Sequence, residues 1–294
     1  MTQTTSRPLR LLFVDGNTRA DRENQMRAFG GLCFGEAYAR EVQAIAPDST
    51  ADLCFPADEG ANLPDAGGLE GYDGIFLTGS TLHIYDPQPA VTRQVELMRA
   101  IYASGTPCFG SCWGIQVGTV AAGGTVVANP KGREVGFARR ITLTEAGRGH
   151  GLLAGRPLAF DAPAIHLDTV AVPPEGTTVL ASNAYSTVHA CEIARDGGLF
   201  WGVQYHPEFS LGQLSALLRR MTPQLVAEGF RKDEAAAEAW FADLDALDAE
   251  PGRSDLAWAH GLDEEVLDAA KRVTELRNFV EARVRPGVSA RGRG

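Results

Sequence analysis

The chain has 294 residues, of which 44% are hydrophobic and 22% are charged, a composition that is ordinary for a globular protein with a full core. Its formal net charge of −10 argues against a sequence-independent nucleic-acid-binding protein, because that function requires a basic surface. The early apolar run Leu11-Leu12-Phe13-Val14 is too short for a signal peptide or a membrane span, so we expect a cytoplasmic protein that binds neither nucleic acid nor membrane.

Strands and helices alternate in the first part of the chain. Short apolar runs bounded by turn residues predict strands, and apolar residues at helical spacing predict helices. The elements predicted there are strand 9–14, helix 34–46, strand 51–55, strand 74–77, a helix that opens at Pro87 or Pro89 and closes at Gly105, and helix 113–122. The alternation predicts an α/β fold with a doubly wound, mainly parallel sheet and helices on both faces.

A second part of the chain is rich in strands, which we expect near 125–128, 135–143, 169–172, 178–181, 188–194 and 199–204. Some antiparallel pairing is expected there. After residue 212 the pattern becomes helical, with helices predicted at 213–221, 233–247 and 263–284 and a linker at 250–254. We therefore predict a catalytic domain over residues 1–212 and a helical C-terminal extension over 213–294, with a disordered tail from Arg285 onwards.

The final predicted helix has an apolar stripe that docks on the core in the simplest interpretation, with a partner-binding helix as the alternative. Asp263 is its expected N-cap. The stripe consists of Leu262, Val266, Ala270, Val273 and Val280.

Gly110-Ser111-Cys112-Trp113-Gly114 lies between a predicted strand and a predicted helix. Glycines two positions either side of Cys112 allow a sharp turn that exposes its side chain at the end of the sheet, and the helix N-terminus favours a thiolate. A serine nucleophile would require glycine at position 109, where the chain has Phe109. Cys112 is therefore the predicted nucleophile, and Cys33, Cys54, Cys108 and Cys191 are interpreted as buried structural residues.

His206 and Glu208 follow the apolar run 199–204, at the carboxyl end of a predicted strand. A cysteine nucleophile needs a base, and that base needs an acceptor that fixes its tautomer. The sequence therefore predicts a Cys112, His206 and Glu208 triad. The spacing of His83, His150, His189 and His260 does not resemble a metal site, so we interpret them as structural and predict no metal.

On these motifs the chain resembles the class I, or triad, glutamine amidotransferases, the family of the glutaminase parts of GMP and anthranilate synthases. The resemblance spans roughly residues 9–212 and includes Leu77-Thr78-Gly79-Ser80 and Lys131-Gly132-Arg133-Glu134-Val135-Gly136. It implies a flavodoxin-like fold and an oxyanion hole built from the backbone N–H groups of Gly79 and Trp113. The family has a small or aliphatic residue where this chain has Trp113.

The resemblance also implies a substrate-binding set, Gln116, His166, Leu167 and Asp168. For His166 and Asp168, a surface loop is the alternative interpretation. We expect hydrolysis of glutamine or a γ-glutamyl amide through a thioester, without a cofactor. A free-standing hydrolase is favoured over a subunit that delivers ammonia to a synthase or ligase partner, and a homo-oligomer is a further option. A non-catalytic regulatory or redox-sensing module on the same fold is the remaining alternative.

Overall fold

The structure, a computed structural model, describes residues 7–27, 29–60 and 68–290. Within these ranges the strands are β1 (Leu9–Val14), β2 (Ser49–Cys54), β3 (Gly74–Leu77), β4 (Cys108–Ser111), β5 (Thr125–Ala128), β6 (Glu134–Leu143), β7 (Ala159–His166), β8 (Asp168–Val172), β9 (Thr177–Ser182), β10 (Ala190–Arg195) and β11 (Gly198–Val203). Nine of them form one sheet in the order β2-β1-β3-β4-β11-β10-β9-β6-β7, and β5 pairs with β8 in a small second sheet.

The main sheet is mixed. Strands β2, β1, β3, β4 and β11 pair parallel to one another. The later strands, β10, β9, β6 and β7, continue the sheet with antiparallel pairings. The predicted α/β fold is confirmed, and the antiparallel pairing lies in the strand-rich part of the sequence, as expected.

The helices of the described chain are α1 (Arg19–Met26), α2 (Phe34–Ile45), α3 (Pro89–Ser104), α4 (Trp113–Ala121), α5 (Glu145–Arg148), α6 (Leu211–Arg220), α7 (Thr222–Ala227), α8 (Glu234–Ala249), α9 (Ser254–His260), α10 (Glu264–Leu267), α11 (Ala269–Arg272), α12 (Thr274–Phe279) and α13 (Arg285–Ala290). A π-helical segment, Val280–Val284, joins α12 to α13. No helix in these ranges has the length and apolar character that a membrane crossing requires.

Helices cover both faces of the sheet because successive strand residues point to opposite sides. In β1, Leu11 and Phe13 belong to the core on one face, together with α2 and the segment from α12 to α13. Leu12 and Val14 belong to the core on the other face, with α3 and α4. A third apolar cluster lies between β6 and helices α6, α7, α8 and α10.

The C-terminal segment differs from its prediction. The single helix expected over 263–284 is broken into α10, α11, α12 and the π-helical segment. Asp263 caps α10 as expected, but the Asp268 carboxylate caps α11 by accepting from the N–H groups of Ala270 and Lys271, which ends α10 and starts a new helix. The prediction of a disordered tail was wrong for residues 285–290, which form α13 and bury Val288. Residues 291–294 lie outside the described ranges.

A buried ionic network ties this segment to the sheet. The Arg156 guanidinium contacts Glu265 at 2.8 Å and Glu275 at 2.7 Å. The Tyr205 hydroxyl donates to Glu275 Oε1 at 3.0 Å. The predicted boundary at residue 212 remains a prediction, but the helices beyond it share a core with the sheet.

The elements that the sequence analysis did not predict include the short helices α5, α7 and α9, of which α9 follows the expected linker. Strand β7 was not predicted either. It contains Pro163 and is the edge strand of the sheet, where proline does not interrupt a ladder on both sides. His166 therefore ends a strand and Asp168 begins the next, so neither residue lies on the surface loop that was the alternative.

Candidate active site

Cys112 occupies a strained turn between β4 and α4. Its φ of 53° and ψ of −100° place it among the few described residues other than glycine with positive φ. Such a conformation costs on the order of 1–3 kcal/mol and persists only where the surroundings impose it. The Cys112 N–H donates to the carbonyl of Val203 at 2.8 Å, which ties the turn to β11. A Cβ at Gly110 would lie 2.8 Å from the Gly114 backbone, and a Cβ at Gly114 would lie 3.0 Å from the carbonyl oxygen of Leu77, so close packing disfavours a side chain at either glycine.

His206 and Glu208 follow β11, which pairs directly with β4, so all three residues lie at neighbouring strand ends. His206 Nδ1 lies 2.7 Å from Glu208 Oε1, and the Ser111 hydroxyl donates to the same oxygen at 2.9 Å. The His206 ring stacks on Phe209 at a centroid distance of 4.1 Å and an interplanar angle of 8°. The imidazole is therefore fixed both in position and in tautomer.

The electrostatics of this group favour a charged imidazole. Burial alone lowers the pKa of His206, but the Glu208 carboxylate and the Cys112 sulfur raise it to about 10. His206 is then an imidazolium at neutral pH.

All five cysteines are free and buried. Burial raises the pKa of Cys33 to about 12, of Cys54 to about 11 and of Cys191 to about 12, and it also raises the pKa of Cys108. Those four thiols stay protonated and inert. Among the cysteines, Cys112 lines the cleft described below.

Gly79 lines the same cleft as Cys112, and Trp113 follows Cys112 in the chain; their role as an oxyanion hole remains a prediction. Gly79 follows β3, and a Cβ there would lie 2.7 Å from His206 Cε1, so only glycine fits. Trp113 is the first residue of α4, and its N–H has no acceptor within the helix. Its indole Nε1 donates to Gln94 Oε1 at 2.7 Å in the core, so the bulky side chain stays out of the cleft.

A cleft of about 430 Å³ opens above Cys112 and His206. The predicted substrate-binding residues Gln116, His166, Leu167 and Asp168 all line it. Glu208 does not, since it lies behind His206. The structure thus brings together every residue that the sequence analysis assigned to the site.

Two aromatic residues that the sequence did not single out as functional hold Asp168. His83 Nδ1 lies 2.9 Å from Asp168 Oδ2, and the Tyr85 hydroxyl donates to Asp168 Oδ1 at 3.0 Å. His83 itself lines the cleft. Their separation from Asp168 along the chain gives no sequence signal for this contact.

Glu134, His166 and His189 form a buried cluster whose ligand atoms all lie within 4.8 Å of one another, close enough to hold a metal ion. The three residues contact one another, although the buried Nδ1 atom of His189 has no hydrogen-bond partner among the described residues. Glu134 Oε2 lies 3.0 Å from His166 Nε2 and 3.2 Å from His189 Nε2, and Glu134 Oε1 accepts from Asn183 at 2.7 Å. Burial opposes ionisation of Glu134, but these donors lower its pKa to about 2, and the absence of a metal remains a prediction.

The sequence analysis missed the residues that line the remaining walls of the cleft. Many of these residues come from α1, α2, the turn before β6, and the α6 and α7 helices. They include Gln25, Phe34, Arg133, Ile165, Phe209, Leu217, Arg220, Met221 and Gln224. Helical periodicity could identify α6 as amphipathic, but not which of its residues face the cleft.

The model of the class I glutamine amidotransferase family matches residues 53–222. A γ-glutamyl-L-1-hydroxyisopropylamide hydrolase from Pseudomonas sp. is 39% identical over 226 residues, which is 75% of each chain. The GMP synthase (glutamine-hydrolysing) of Leifsonia xyli is 38% identical over 136 residues, or 46% of this chain and 25% of the synthase.

Among solved structures, a glutamine amidotransferase from Thermotoga maritima superposes with a TM-score of 0.61. It covers 94% of this chain and 98% of its own, at 16% sequence identity, and so supports the fold alone. The family match spans more than half of the chain, and the Pseudomonas hydrolase is similar over three quarters of it. On this combination of sequence and geometry, the chain belongs to the class I glutamine amidotransferase family.

Proposed function

We propose that the protein is a free-standing hydrolase that cleaves the γ-amide of glutamine or of a γ-glutamyl amide through a glutamyl thioester on Cys112. The observation that carries this proposal is the strained Cys112 turn beside an imidazole that Glu208 fixes and keeps charged. Membership of this family makes the protein an enzyme that breaks a carbon–nitrogen bond. No cofactor takes part in the proposed reaction.

The Cys112 thiolate attacks the γ-carbonyl carbon, and the carbonyl electron pair moves to oxygen. The N–H groups of Gly79 and Trp113 stabilise this oxyanion; the loss of one such donor typically costs about 100- to 1000-fold in rate. The His206 imidazolium donates its proton to the leaving nitrogen, the C–N bond breaks, and the amine departs. Neutral His206 then takes a proton from water, which attacks the thioester, and glutamate leaves as the thiolate and imidazolium are restored.

The glutamyl end is assigned to the cleft wall that holds Gln116 and the segment 166–168. Asp168 is oriented by His83 and Tyr85, and its carboxylate is suited to a substrate ammonium group. The His166 ring is committed to Glu134 and to the Asp168 carbonyl, so we assign its contribution to ordering the segment. Gln116 and the backbone at Leu167 complete the proposed site.

The free-standing reaction is favoured over ammonia delivery because the similar Pseudomonas protein is named a hydrolase and the match to this chain covers 75% of its length. The GMP synthases match over about a quarter of theirs, and a synthase partner or a homo-oligomer is the competing assignment. In the redox-sensing relatives of this fold a histidine usually follows the cysteine. Here Trp113 stands in that place, and His206 supplies the base from another strand.

The test is glutamate release by the purified protein alone from glutamine and a set of γ-glutamyl amides. Cys112→Ala is expected to abolish release without loss of folding, and a glutamine-like chloroketone is expected to alkylate Cys112. Cys191→Ala is the matched control, because Cys191 is buried outside the cleft. Full turnover by Cys112→Ala would overturn the proposal, and turnover that requires an added synthase would favour the ammonia-donor assignment.

A further inference from the structure

The group that leaves the substrate must lie beside His206, because His206 donates the proton that releases it. The surroundings of His206 are aromatic and aliphatic. Its ring stacks on Phe209, and Phe209 contacts Phe34 in an edge-to-face arrangement at 5.6 Å. Leu217 of α6 packs against the same apolar cluster, and all three side chains line the cleft. A substituent on the leaving nitrogen therefore meets an apolar wall.

Gln25 adds one polar feature to this wall. Its side chain is buried and lines the cleft. Gln25 Nε2 donates to Asn17 Oδ1 at 2.9 Å, which fixes the orientation of the amide. Gln25 Oε1 has no hydrogen-bond partner within the described chain. A buried acceptor without a partner is costly, so a donor on the substrate is favoured there.

Two arginines also line the cleft. Arg220, at the end of α6, lines the cleft and has no ion-pair partner among the described residues. Arg133 also lines it, with Nε 3.4 Å from Glu228. Asp168 is the acid that lines the cleft, and it is held by His83 and Tyr85 on the wall assigned to the glutamyl group. A substrate whose amine portion carries an ammonium group of its own is therefore disfavoured.

From these three features we propose an amine subsite, formed by Phe34, Phe209, Leu217 and Gln25, that selects γ-glutamyl amides of neutral, apolar amines that carry a hydrogen-bond donor. This proposal rests on the proposed function, and it makes the substituted amide, not glutamine, the better substrate. One added methylene in an apolar pocket changes selectivity by roughly 10- to 200-fold.

The experiment compares kcat/KM for five compounds: glutamine, γ-glutamylmethylamide, γ-glutamylisopropylamide, γ-glutamyl-2-hydroxypropylamide and γ-glutamyl-4-aminobutylamide. We expect the isopropylamide to exceed the methylamide and glutamine by about 10-fold or more, and the aminobutylamide to be the poorest of the substituted amides. Leu217→Ala is expected to lower the ratio of isopropylamide to methylamide by about 10-fold. Gln25→Met is expected to lower the ratio of hydroxypropylamide to isopropylamide.

Leu256→Ala is the matched control, since Leu256 is a partly buried leucine of α9 outside the cleft. It should leave both ratios unchanged. If Leu217→Ala does not fold, Leu217→Met provides a volume-conserving change that still alters the shape of the wall. If the protein hydrolyses none of the five compounds, both proposals are overturned. Turnover of glutamine or the aminobutylamide as fast as the isopropylamide, or ratios that neither Leu217 variant moves, overturns the subsite and leaves the proposed function intact.

Discussion

Phe279 of α12 is buried in the hydrophobic core that the C-terminal helices share with the sheet. It is 1% exposed, and its ring lies 5.3 Å from Phe76, 5.6 Å from Phe109 and 5.9 Å from Trp201, measured between centroids. These three residues belong to β3, β4 and β11, the strands that carry the proposed site. Truncation of a buried phenylalanine to alanine costs about 3–5 kcal/mol, and aromatic pairs contribute about 0.5–1.5 kcal/mol each beyond burial.

We therefore expect Phe279→Ala to lose free energy of unfolding near the upper end of that range, about 4–5 kcal/mol, out of a total of about 5–15 kcal/mol. Equilibrium unfolding in urea, followed by tryptophan fluorescence, measures the loss. Trp258→Ala in α9 is the matched control: its side chain is 89% exposed, and we expect a change within about 0.5 kcal/mol. A loss below about 1 kcal/mol for Phe279→Ala, at an unchanged slope with urea, would refute the view that this segment belongs to the core.

Four further predictions concern the site and its support. Truncation before Glu250 should give a chain without a cooperative unfolding transition by circular dichroism, because it removes Phe279 and the partners of Arg156; a truncated chain that unfolds cooperatively would contradict this. kcat/KM should fall as pH rises through about 10, since neutral His206 cannot protonate the leaving nitrogen. Glu208→Gln should shift this fall in kcat/KM to lower pH, because it removes the carboxylate that raises the pKa of His206. His206→Ala and Glu208→Ala should act as one unit, so a double variant whose loss equals the product of the single losses would exclude a shared role. Ser111→Ala removes a hydrogen bond to a carboxylate, worth about 1.5–3 kcal/mol, and should lower kcat by about 10-fold while the unfolding transition persists.

The sequence predicted those parts of the fold that depend on the pattern of hydrophobic residues among near neighbours in the chain. The alternation in β1 separates Leu12 from Phe13 onto opposite faces, and Gly105 ends α3 in a left-handed conformation at φ 67°. The glycine-flanked cysteine and the His206 and Glu208 pair also follow from local motifs, since a strand end fixes where the next side chains lie. Gly79 and Trp113 were assigned to the site from the family resemblance and not from a local pattern.

The sequence could not predict features that depend on contacts between distant residues. The break between α10 and α11 is a different case, because it follows from local capping bonds at Asp268 that compete with an apparently continuous helical pattern. Arg156 meets Glu275 across 119 positions, and Asp168 meets Tyr85 across 83. The cleft-facing side of α6 is set by how that helix packs on Phe241 and Leu244 of α8, which no periodicity specifies.

The hydrogen bond from Tyr205 to Glu275 joins the residue before the proposed base to a helix that is synthesised some 70 positions later. During translation the strands up to β11 emerge first, with Phe76, Phe109 and Trp201 uncovered until α12 follows them. We therefore expect the strands that carry Cys112 and His206 to gain their full stability only after the helical segment has left the ribosome and packed on the sheet. A ribosome stalled before α12 would hold a chain in which Phe76, Phe109 and Trp201 lack their contact with Phe279.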